Sequence, residues 1–299
     1  MSSSSRLPLC LSLVLLGAPA SAQEPHAELQ TQKLSDGLYL ITGPGGNIAL
    51  MVGKDGVFLV DDQVAPLTAE LKKSIAAVTP KPVRFVLNTH WHGDHTGGNA
   101  ALGSDGAVIV AHDNVRRRMS VGRVMPPPDR SVPPAPQSAL PVVTFADSLS
   151  FHVNGDDVDV THVAPAHTDG DSQVYFHKAN VIHTGDTYVS GGYPFIDLQS
   201  GGTIDGFVRA ADRVLAMALP TTRIIPGHGP LSDRAKLKVW RDMLVTIRDR
   251  IQKLIGEGRS LEVVQAARPT AEFDAAWGAQ FIRGPQLVEA IFHDLTRKR

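Results

Sequence analysis

One short segment of the sequence concentrates residues that could bind metal ions. Residues 89–95 read Thr-His-Trp-His-Gly-Asp-His and directly follow a run of strand-forming residues. On a helix, His90 and His92 would point about 200° apart, but at the end of a strand they can face the same ion. Asp94 and His95 are neighbours in the chain and more naturally serve a second ion. The segment therefore predicts a site for two metal ions.

Three further potential ligands each follow a predicted strand. His167 lies in a loop, Asp186 follows a short apolar run, and His228 stands between two glycines. Loops at strand ends are where α/β proteins gather their functional residues. The chain has twelve histidines and one cysteine. Imidazole and carboxylate groups must therefore supply the ligands.

These residues need strands and helices to position them, and both are indicated along the chain. Short apolar or alternating runs predict strands at 38–42, 47–52, 57–60, 83–87, 108–111, 149–153, 158–162, 174–176, 181–183 and 223–225. Helical spacing of apolar residues predicts helices at 68–78, 112–119 and 203–219, and a helical C-terminal segment at 232–296. Strands in both halves, with helices between and after them, predict an α/β protein with two sheets covered by helices.

The order of the candidate ligands resembles that of metallo-β-lactamase-fold hydrolases. The resemblance rests on His-x-His-x-Asp-His at 90–95 followed by His167, Asp186 and His228, and it spans roughly residues 38–232. It implies an αβ/βα sandwich of two mixed β-sheets flanked by helices, with a two-metal site at one edge. The ligands that it implies for the first metal are His90, His92 and His167. Those that it implies for the second are Asp94, His95 and His228, with Asp186 bridging both, as in the glyoxalase II-like branch.

The resemblance also implies a reaction, which is zinc-dependent hydrolysis. Zn²⁺ binds nitrogen and oxygen donors at about 2.0–2.2 Å, and two ions about 3.5–4 Å apart can share a hydroxide at neutral pH. We expect that hydroxide to attack an ester, thioester, lactone or amide carbonyl. Asp94 is the expected catalytic residue because it would help to hold the ion that stabilises the leaving group. Tyr193 and Phe195, which follow the bridging carboxylate, are expected to line the substrate pocket.

Two other functions stay open at this point. β-Lactamases of this fold carry cysteine or serine at the position of Asp186, and one group has lysine three residues further on, where this chain has Val189. The aspartate is closer to the hydroxyacyl-thioester, lactone and ester hydrolases, although export would also suit a β-lactamase. The other alternative is an iron-dependent oxidoreductase such as a persulfide dioxygenase. Histidine and aspartate accept iron or manganese as well as zinc.

The amino-terminal residues predict export from the cell. Arg6, the apolar stretch 7–16 and an Ala-x-Ala sequence at 20–22 form the pattern of a signal peptide over residues 1–22. This leaves a hydrolase domain at 23–299, which we expect to be secreted, into the periplasm of a Gram-negative cell. No segment is long and apolar enough to predict a membrane span.

Charge and proline content complete the sequence picture. The balance of 29 basic against 30 acidic residues argues against a nucleic-acid partner. We therefore expect a small-molecule substrate, and the oligomeric state is left open.

Residues 125–141 are rich in proline and predict a loop, because proline removes backbone donors and fixes φ. This loop is either a surface crossover or a lip beside the site.

Overall fold

The computed structural model describes residues 28–125, 130–163 and 165–297, and strands run through most of this length. The strands of the first half are β1 (Gln30–Ser35), β2 (Leu38–Thr42), β3 (Ile48–Gly53), β4 (Gly56–Val60), β5 (Val83–Asn88), β6 (Val108–His112), β7 (Arg123–Met125), β8 (Arg130–Val132) and β9 (Val143–Phe145). Those of the second half are β10 (Ser148–Val153), β11 (Asp156–His162), β12 (Ser172–Phe176), β13 (Val181–His183), β14 (Arg223–Ile225) and β15 (Ser232–Asp233). The predicted signal peptide, 1–22, lies outside the described residues.

Helices connect and follow these strands. They are α1 (Thr68–Val78), α2 (Gly93–Thr96), α3 (Asn99–Ser104), α4 (Asp113–Val121), α5 (Ile204–Met217), α6 (Arg234–Gly256), α7 (Leu261–Ala266), α8 (Asp274–Trp277) and α9 (Gly284–Thr296). The long helices begin at side-chain caps, which satisfy backbone N–H groups that have no partner inside the helix. Thr203 caps α5 and Asp233 caps α6 in this way.

All of these strands except β7 and β8, which pair with each other, form two mixed sheets. The first has seven strands in the order β1-β2-β3-β4-β5-β6-β9, and the second has six in the order β10-β11-β12-β13-β14-β15. Neighbours from β4 to β9 in the first sheet are parallel, as are β13 and β14 in the second, and the other pairs are antiparallel. Every residue of β4 is buried, since this strand lies near the middle of its sheet. The result is the predicted α/β class.

Apolar side chains hold the layers together on three levels. Between the sheets, Phe58 of β4 packs edge-on against Phe176 of β12, with ring centroids 6.4 Å apart. On the outer face of the first sheet, α1 buries Leu71 and Ile75. The outer face of the second sheet is covered by α5, α6 and α9. The predicted αβ/βα sandwich is therefore confirmed.

The structure departs from the predicted elements in several places. Met125 and residues 130–132 belong to the two-stranded ribbon β7–β8 and not to a loop, because the prolines of 125–141 lie outside those short strands. The C-terminal segment becomes helical only at Arg234, because Ser232 and Asp233 pair with β14. β1 was not predicted because it is mostly exposed and polar. Within the described ranges, no helix is long and apolar enough to cross a membrane.

Candidate metal centre

The seven candidate ligands meet where strands of both sheets end. His90 lies two residues after β5, and His92 directly precedes α2, which carries Asp94 and His95. Asp186 lies in a short helical turn after β13. The two remaining ligands stand in the loops between β11 and β12 and after β14; they are His167 and His228. Residues more than 130 positions apart are thus brought to one edge of the sandwich.

Three overlapping groups of donor atoms define the centre. The groups are His90, His92 and His167; His90, His95 and Asp186; and Asp94, His95 and His228. Within each group the donor atoms lie within 4.8 Å of one another. The first and third groups are the two ligand sets that the resemblance implies.

The carboxylate of Asp186 lies between these two sets. Its Oδ2 is 3.5 Å from His167 Nε2 on one side and 3.4 Å from His228 Nε2 on the other, while Oδ1 is 3.2 Å from His95 Nε2. Asp94 reaches only the second set, with Oδ2 3.2 Å from His228 Nε2. Asp186 is therefore placed to bridge two cations and Asp94 to bind one.

The donor atoms fit bound cations better than they fit one another. His90 Nε2 and Asp186 Oδ1 are buried without a hydrogen-bond partner, which is costly unless an ion takes that place. His92 Nδ1 and His167 Nε2 face each other at 2.8 Å. Two neutral imidazoles whose other nitrogens carry the protons would point lone pairs at each other here, and a cation between them removes that conflict. The site thus fits divalent metal ions bound by nitrogen and oxygen.

A buried carboxylate, Asp61, fixes the proton positions of one histidine in each set. His95 Nδ1 donates to Asp61 Oδ2 over 2.7 Å. The hydroxyl of Thr89 donates to the same oxygen over 2.7 Å and lies 3.1 Å from His90 Nδ1, from which it accepts. Both rings are therefore protonated on Nδ1 and keep Nε2 free for an ion.

The other two histidines of the first set are held by one loop, residues 192–201. His167 Nδ1 donates to the backbone oxygen of Phe195 over 2.7 Å. His92 Nε2 donates to Asp197 Oδ2 over 3.0 Å, which leaves Nδ1 of His92 as the donor atom for a metal. Ligand orientation in the first set consequently depends on this loop.

The C-terminal helices anchor the 192–201 loop. The indole of Trp240 on α6 donates to the backbone oxygen of Gly192 over 3.0 Å. Tyr193 donates its hydroxyl to Asp274 Oδ1 over 3.0 Å and its backbone N–H to the oxygen of Trp277. These bonds connect α6 and α8 to the loop that orients His92 and His167.

Two glycines are required where backbone passes against the ligands. A Cβ at Gly227 would lie 1.9 Å from Asp186 Oδ1, and one at Gly46 would lie 2.2 Å from the His95 ring. Neither ligand could keep its position beside a larger residue. The glycine next to His228 is therefore needed for a close approach of the backbone to the bridging carboxylate.

Burial and neighbouring charges divide the histidines into two kinds. Burial lowers the pKa of His90 well below its usual range and that of His167 to about 4, so both rings are neutral at pH 7. The Asp186 carboxylate raises the pKa of His228 to about 9. Burial alone would lower the pKa of His95, but the carboxylates of Asp186 and Asp61 have the larger effect and raise the pKa of this histidine well above its ordinary value. Without bound metal, His95 and His228 of the second set are therefore protonated.

The carboxylates stay ionised despite their burial. Burial alone would raise the pKa of Asp94, but a hydrogen bond with His228 and the charge of His95 have the larger effect and lower the pKa to about 2. For Asp186, burial is likewise outweighed by His228 and His95, and the pKa lies well below its ordinary value. Two negative charges are therefore available to balance bound cations.

The two predicted pocket residues occupy different environments. Tyr193 is buried in the core cluster beneath the C-terminal helices, with its hydroxyl on Asp274. Phe195 is 40% exposed, and its ring centroid is 6.2 Å from that of His92 and 5.8 Å from that of His167. Phe195 thus faces the centre, whereas Tyr193 supports the loop from behind.

Fold and site together define a candidate metal centre at the edge of a two-sheet sandwich. The family model of the metallo-β-lactamase superfamily matches residues 41–228, and the chain belongs to this superfamily of metal-dependent hydrolases. The matched range ends at the last candidate ligand, His228. The helices from α6 onward lie beyond it.

Several characterised proteins resemble the chain. It is 24% identical over 185 residues to the 2,4-dinitroanisole O-demethylase subunit alpha of Nocardioides sp., covering 60% of this chain and 52% of that protein. It is 26% identical over 181 residues to the hydroxyacylglutathione hydrolase of Polaromonas sp., covering 60% and 61%. The chain thus spans between half and two thirds of these relatives' length.

Solved structures share the fold. A metallo-β-lactamase from Pontibacter korlensis superposes with a TM-score of 0.58 at 21% identity, covering 73% of this chain and 99% of that one. A sec-alkylsulfatase from Pseudomonas sp. superposes with a TM-score of 0.66 at 15% identity, covering 89% and 50%. At these identities the likeness concerns the fold alone.

Sequence reasoning did not identify the residues that orient the ligands. Asp61 and Asp197 lie 34 and 105 positions from the histidines to which they bond, His95 and His92, and outside any histidine-rich segment. One signal was present at the first: Asp61 follows a fully buried apolar strand, where a carboxylate needs a partner. No comparable signal marks Asp197 in the sequence.

Proposed function

We propose that the chain is a zinc-dependent hydrolase with two metal ions that cleaves an ester, thioester, lactone or amide of a small molecule. The observation that carries this proposal is the position of Asp186, whose Oδ2 lies 3.5 Å from His167 Nε2 and 3.4 Å from His228 Nε2. A carboxylate in that place would contribute a ligand to each of two cations. The hydroxyacylglutathione hydrolase relative supports an acyl substrate.

When bound, two zinc ions would supply a hydroxide nucleophile near neutral pH and polarise the substrate carbonyl. The chain's own residues prepare the place for this. His90 and His167 are neutral and buried, so they can donate lone pairs. Asp94 is ionised and its side chain is 35% exposed against 10% for Asp186. Asp94 therefore faces the open side, where a leaving group departs.

The alternatives differ in measurable ways. A β-lactamase of the cysteine-containing group has a lysine three residues beyond the bridging position, and Val189 cannot pair with a substrate carboxylate. An oxidoreductase would be purified with iron and would consume an oxidant. A β-lactamase would hydrolyse a cephalosporin faster than esters or thioesters. The proposal requires zinc and hydrolysis of an acyl compound.

The test is a substrate panel on zinc-loaded protein, combined with metal analysis of protein purified without added metal. We expect about two zinc ions per chain and turnover of at least one thioester, lactone or aryl ester, abolished by Asp186→Asn. His152→Ala is the matched control, because His152 is an exposed histidine paired with Asp157 outside the centre. Iron with redox turnover, or hydrolysis of the cephalosporin alone, would overturn the proposal.

We also propose that the protein acts outside the cytoplasm, in the periplasm of a Gram-negative cell. The support is the signal-peptide pattern of residues 1–22. Mass spectrometry of the protein from cell fractions tests this: we expect the mature chain in the periplasmic fraction, beginning at Gln23. Full-length chain confined to the cytoplasm would contradict the proposal.

A further inference from the structure

The segment between α8 and α9 exposes a large aromatic side chain. Phe281 is 83% exposed, the highest value among the exposed large hydrophobic residues of the described ranges. It lies outside residues 41–228, which match the superfamily. Exposure of a single apolar residue needs no explanation, but a second aromatic residue beside it does.

Phe281 belongs to a row of rings that begins at the metal centre. Its ring centroid is 6.1 Å from that of Phe195, with the rings at 82°. The Phe195 ring in turn lies 5.8 Å from His167 and 6.2 Å from His92. Aromatic rings therefore follow one another from two metal-ligand candidates to the outside of the protein.

The backbone on both sides of this row is fixed. The backbone oxygen of Phe195 accepts from His167 Nδ1 over 2.7 Å, which holds the backbone that carries the ring beside the centre. Across the contact, the oxygen of Trp277 accepts from the N–H of Tyr193, and Gly192 packs against the side chain of Gln280. The two aromatic residues are thus held in register by neighbouring residues.

We infer that Phe195 and Phe281 form an apolar subsite that binds the hydrocarbon part of the acyl substrate. The inference rests on the proposed hydrolase function and specifies its substrate class: acyl groups longer than acetyl are preferred. A substrate whose carbonyl lies at the centre extends its chain along the two rings and covers apolar surface that water otherwise contacts. Burial of this surface favours binding in proportion to the area covered.

Binding of the product carboxylates tests the subsite without turnover. Sodium acetate and sodium octanoate share a carboxylate, so their difference in affinity for the zinc-loaded protein, measured by calorimetry, reports the hydrocarbon contact. We expect octanoate to bind more tightly than acetate. Phe281→Ser should reduce the ratio of the octanoate affinity to the acetate affinity about tenfold, because the apolar contact with the Phe281 ring is lost. Phe281→Leu, which keeps an apolar side chain, should restore most of the advantage.

A matched control and a kinetic measurement separate the possible failures. Leu219→Ala removes another exposed hydrophobic residue, which precedes β14 at the end opposite His228, and it should leave both affinities unchanged. In hydrolysis of matched octanoyl and acetyl esters, the ratio of the two kcat/KM values should fall about tenfold in Phe281→Ser.

The outcomes distinguish the inference from the function on which it rests. Absence of hydrolysis of every acyl compound in the panel, with intact octanoate preference, would overturn the proposed function but support the subsite. Hydrolysis whose octanoyl-to-acetyl ratio is the same in wild type and Phe281→Ser would overturn the subsite alone. A wild-type dimer that becomes monomeric in Phe281→Ser would also overturn it, because the ring would then belong to a contact between copies.

Discussion

Replacement of Asp61 by asparagine should weaken metal binding although Asp61 is not a ligand. Asp61 Oδ2 accepts from His95 and from the Thr89 hydroxyl, and Oδ1 accepts from the Thr89 backbone N–H, each over 2.7 Å. Asparagine keeps the shape of the side chain. It also tolerates the positive φ of 64° at this position. The substitution therefore changes hydrogen bonding and charge with little effect on the backbone.

Neither orientation of the new amide satisfies its surroundings. With its oxygen toward His95, the NH₂ group faces the backbone N–H of Thr89, donor against donor. With the amide reversed, NH₂ faces His95 Nδ1, which must then accept, and the proton moves to the nitrogen that should bind metal. We expect metal affinity to fall about 10–100-fold. The free energy of unfolding should fall by about 1–3 kcal/mol, the cost of an unsatisfied buried group.

Competition with a chromophoric chelator measures the affinity, and urea unfolding of metal-free protein measures the stability. Asp36→Asn is the control, because it removes the same charge from a fully exposed side chain paired only with Lys33, and both quantities should stay at the wild-type values. Asp61→Asn that binds two zinc ions with wild-type affinity would refute the claim that this carboxylate sets the proton positions of the ligands.

Three further predictions concern the ligands themselves. Asp94→Ala should lose the second zinc ion and, with it, turnover. Affinity for that ion should fall more than about 100-fold, because loss of an orienting group alone costs up to that much. Metal analysis and kinetics at saturating zinc check this, and two bound ions would contradict it. Gly227→Ala should abolish bridging by Asp186, since the added Cβ would lie 1.9 Å from its Oδ1. Chelator competition should show weakened zinc binding at both metal positions. Unchanged zinc affinity would count against the bridge. Through His228 alone, zinc affinity should rise about tenfold from pH 7 to 8 and about fivefold from pH 8 to 9, because this histidine has a pKa of about 9 and must give up its proton below that pH. Calorimetry in buffers of different ionisation enthalpy counts the released protons, and a flat profile would contradict the assignment.

Local sequence patterns predicted much of the fold because hydrophobic periodicity determines which segments are buried. The predicted helix at 68–78 and the strand at 38–42 coincide with α1 and β2. The exposed edge strand β1 carries no such pattern, and neither does the two-residue β15. Pairing of these strands depends on the sheets beside them and not on their own composition.

The ligands could be found from the sequence, but the residues that orient them could not. Metal chemistry restricts ligands to a few residue types, so a dense histidine cluster is informative by itself. The bond from His167 to Phe195 uses a backbone oxygen, which every residue possesses. The position of Tyr193 depends on Asp274, 81 residues further along the chain. Only the folded chain shows such pairs.

The anchoring of the 192–201 loop by α6 and α8 has a consequence for how this protein diverges from its relatives. All seven candidate ligands lie within the part shared with the superfamily, yet two of them are oriented by a loop that is hydrogen-bonded to helices beyond it. Substitutions in those helices can alter metal affinity without touching a ligand. Exchange of the C-terminal helices with those of a relative would therefore change the orientation of His92 and His167 as well as the packing of the core.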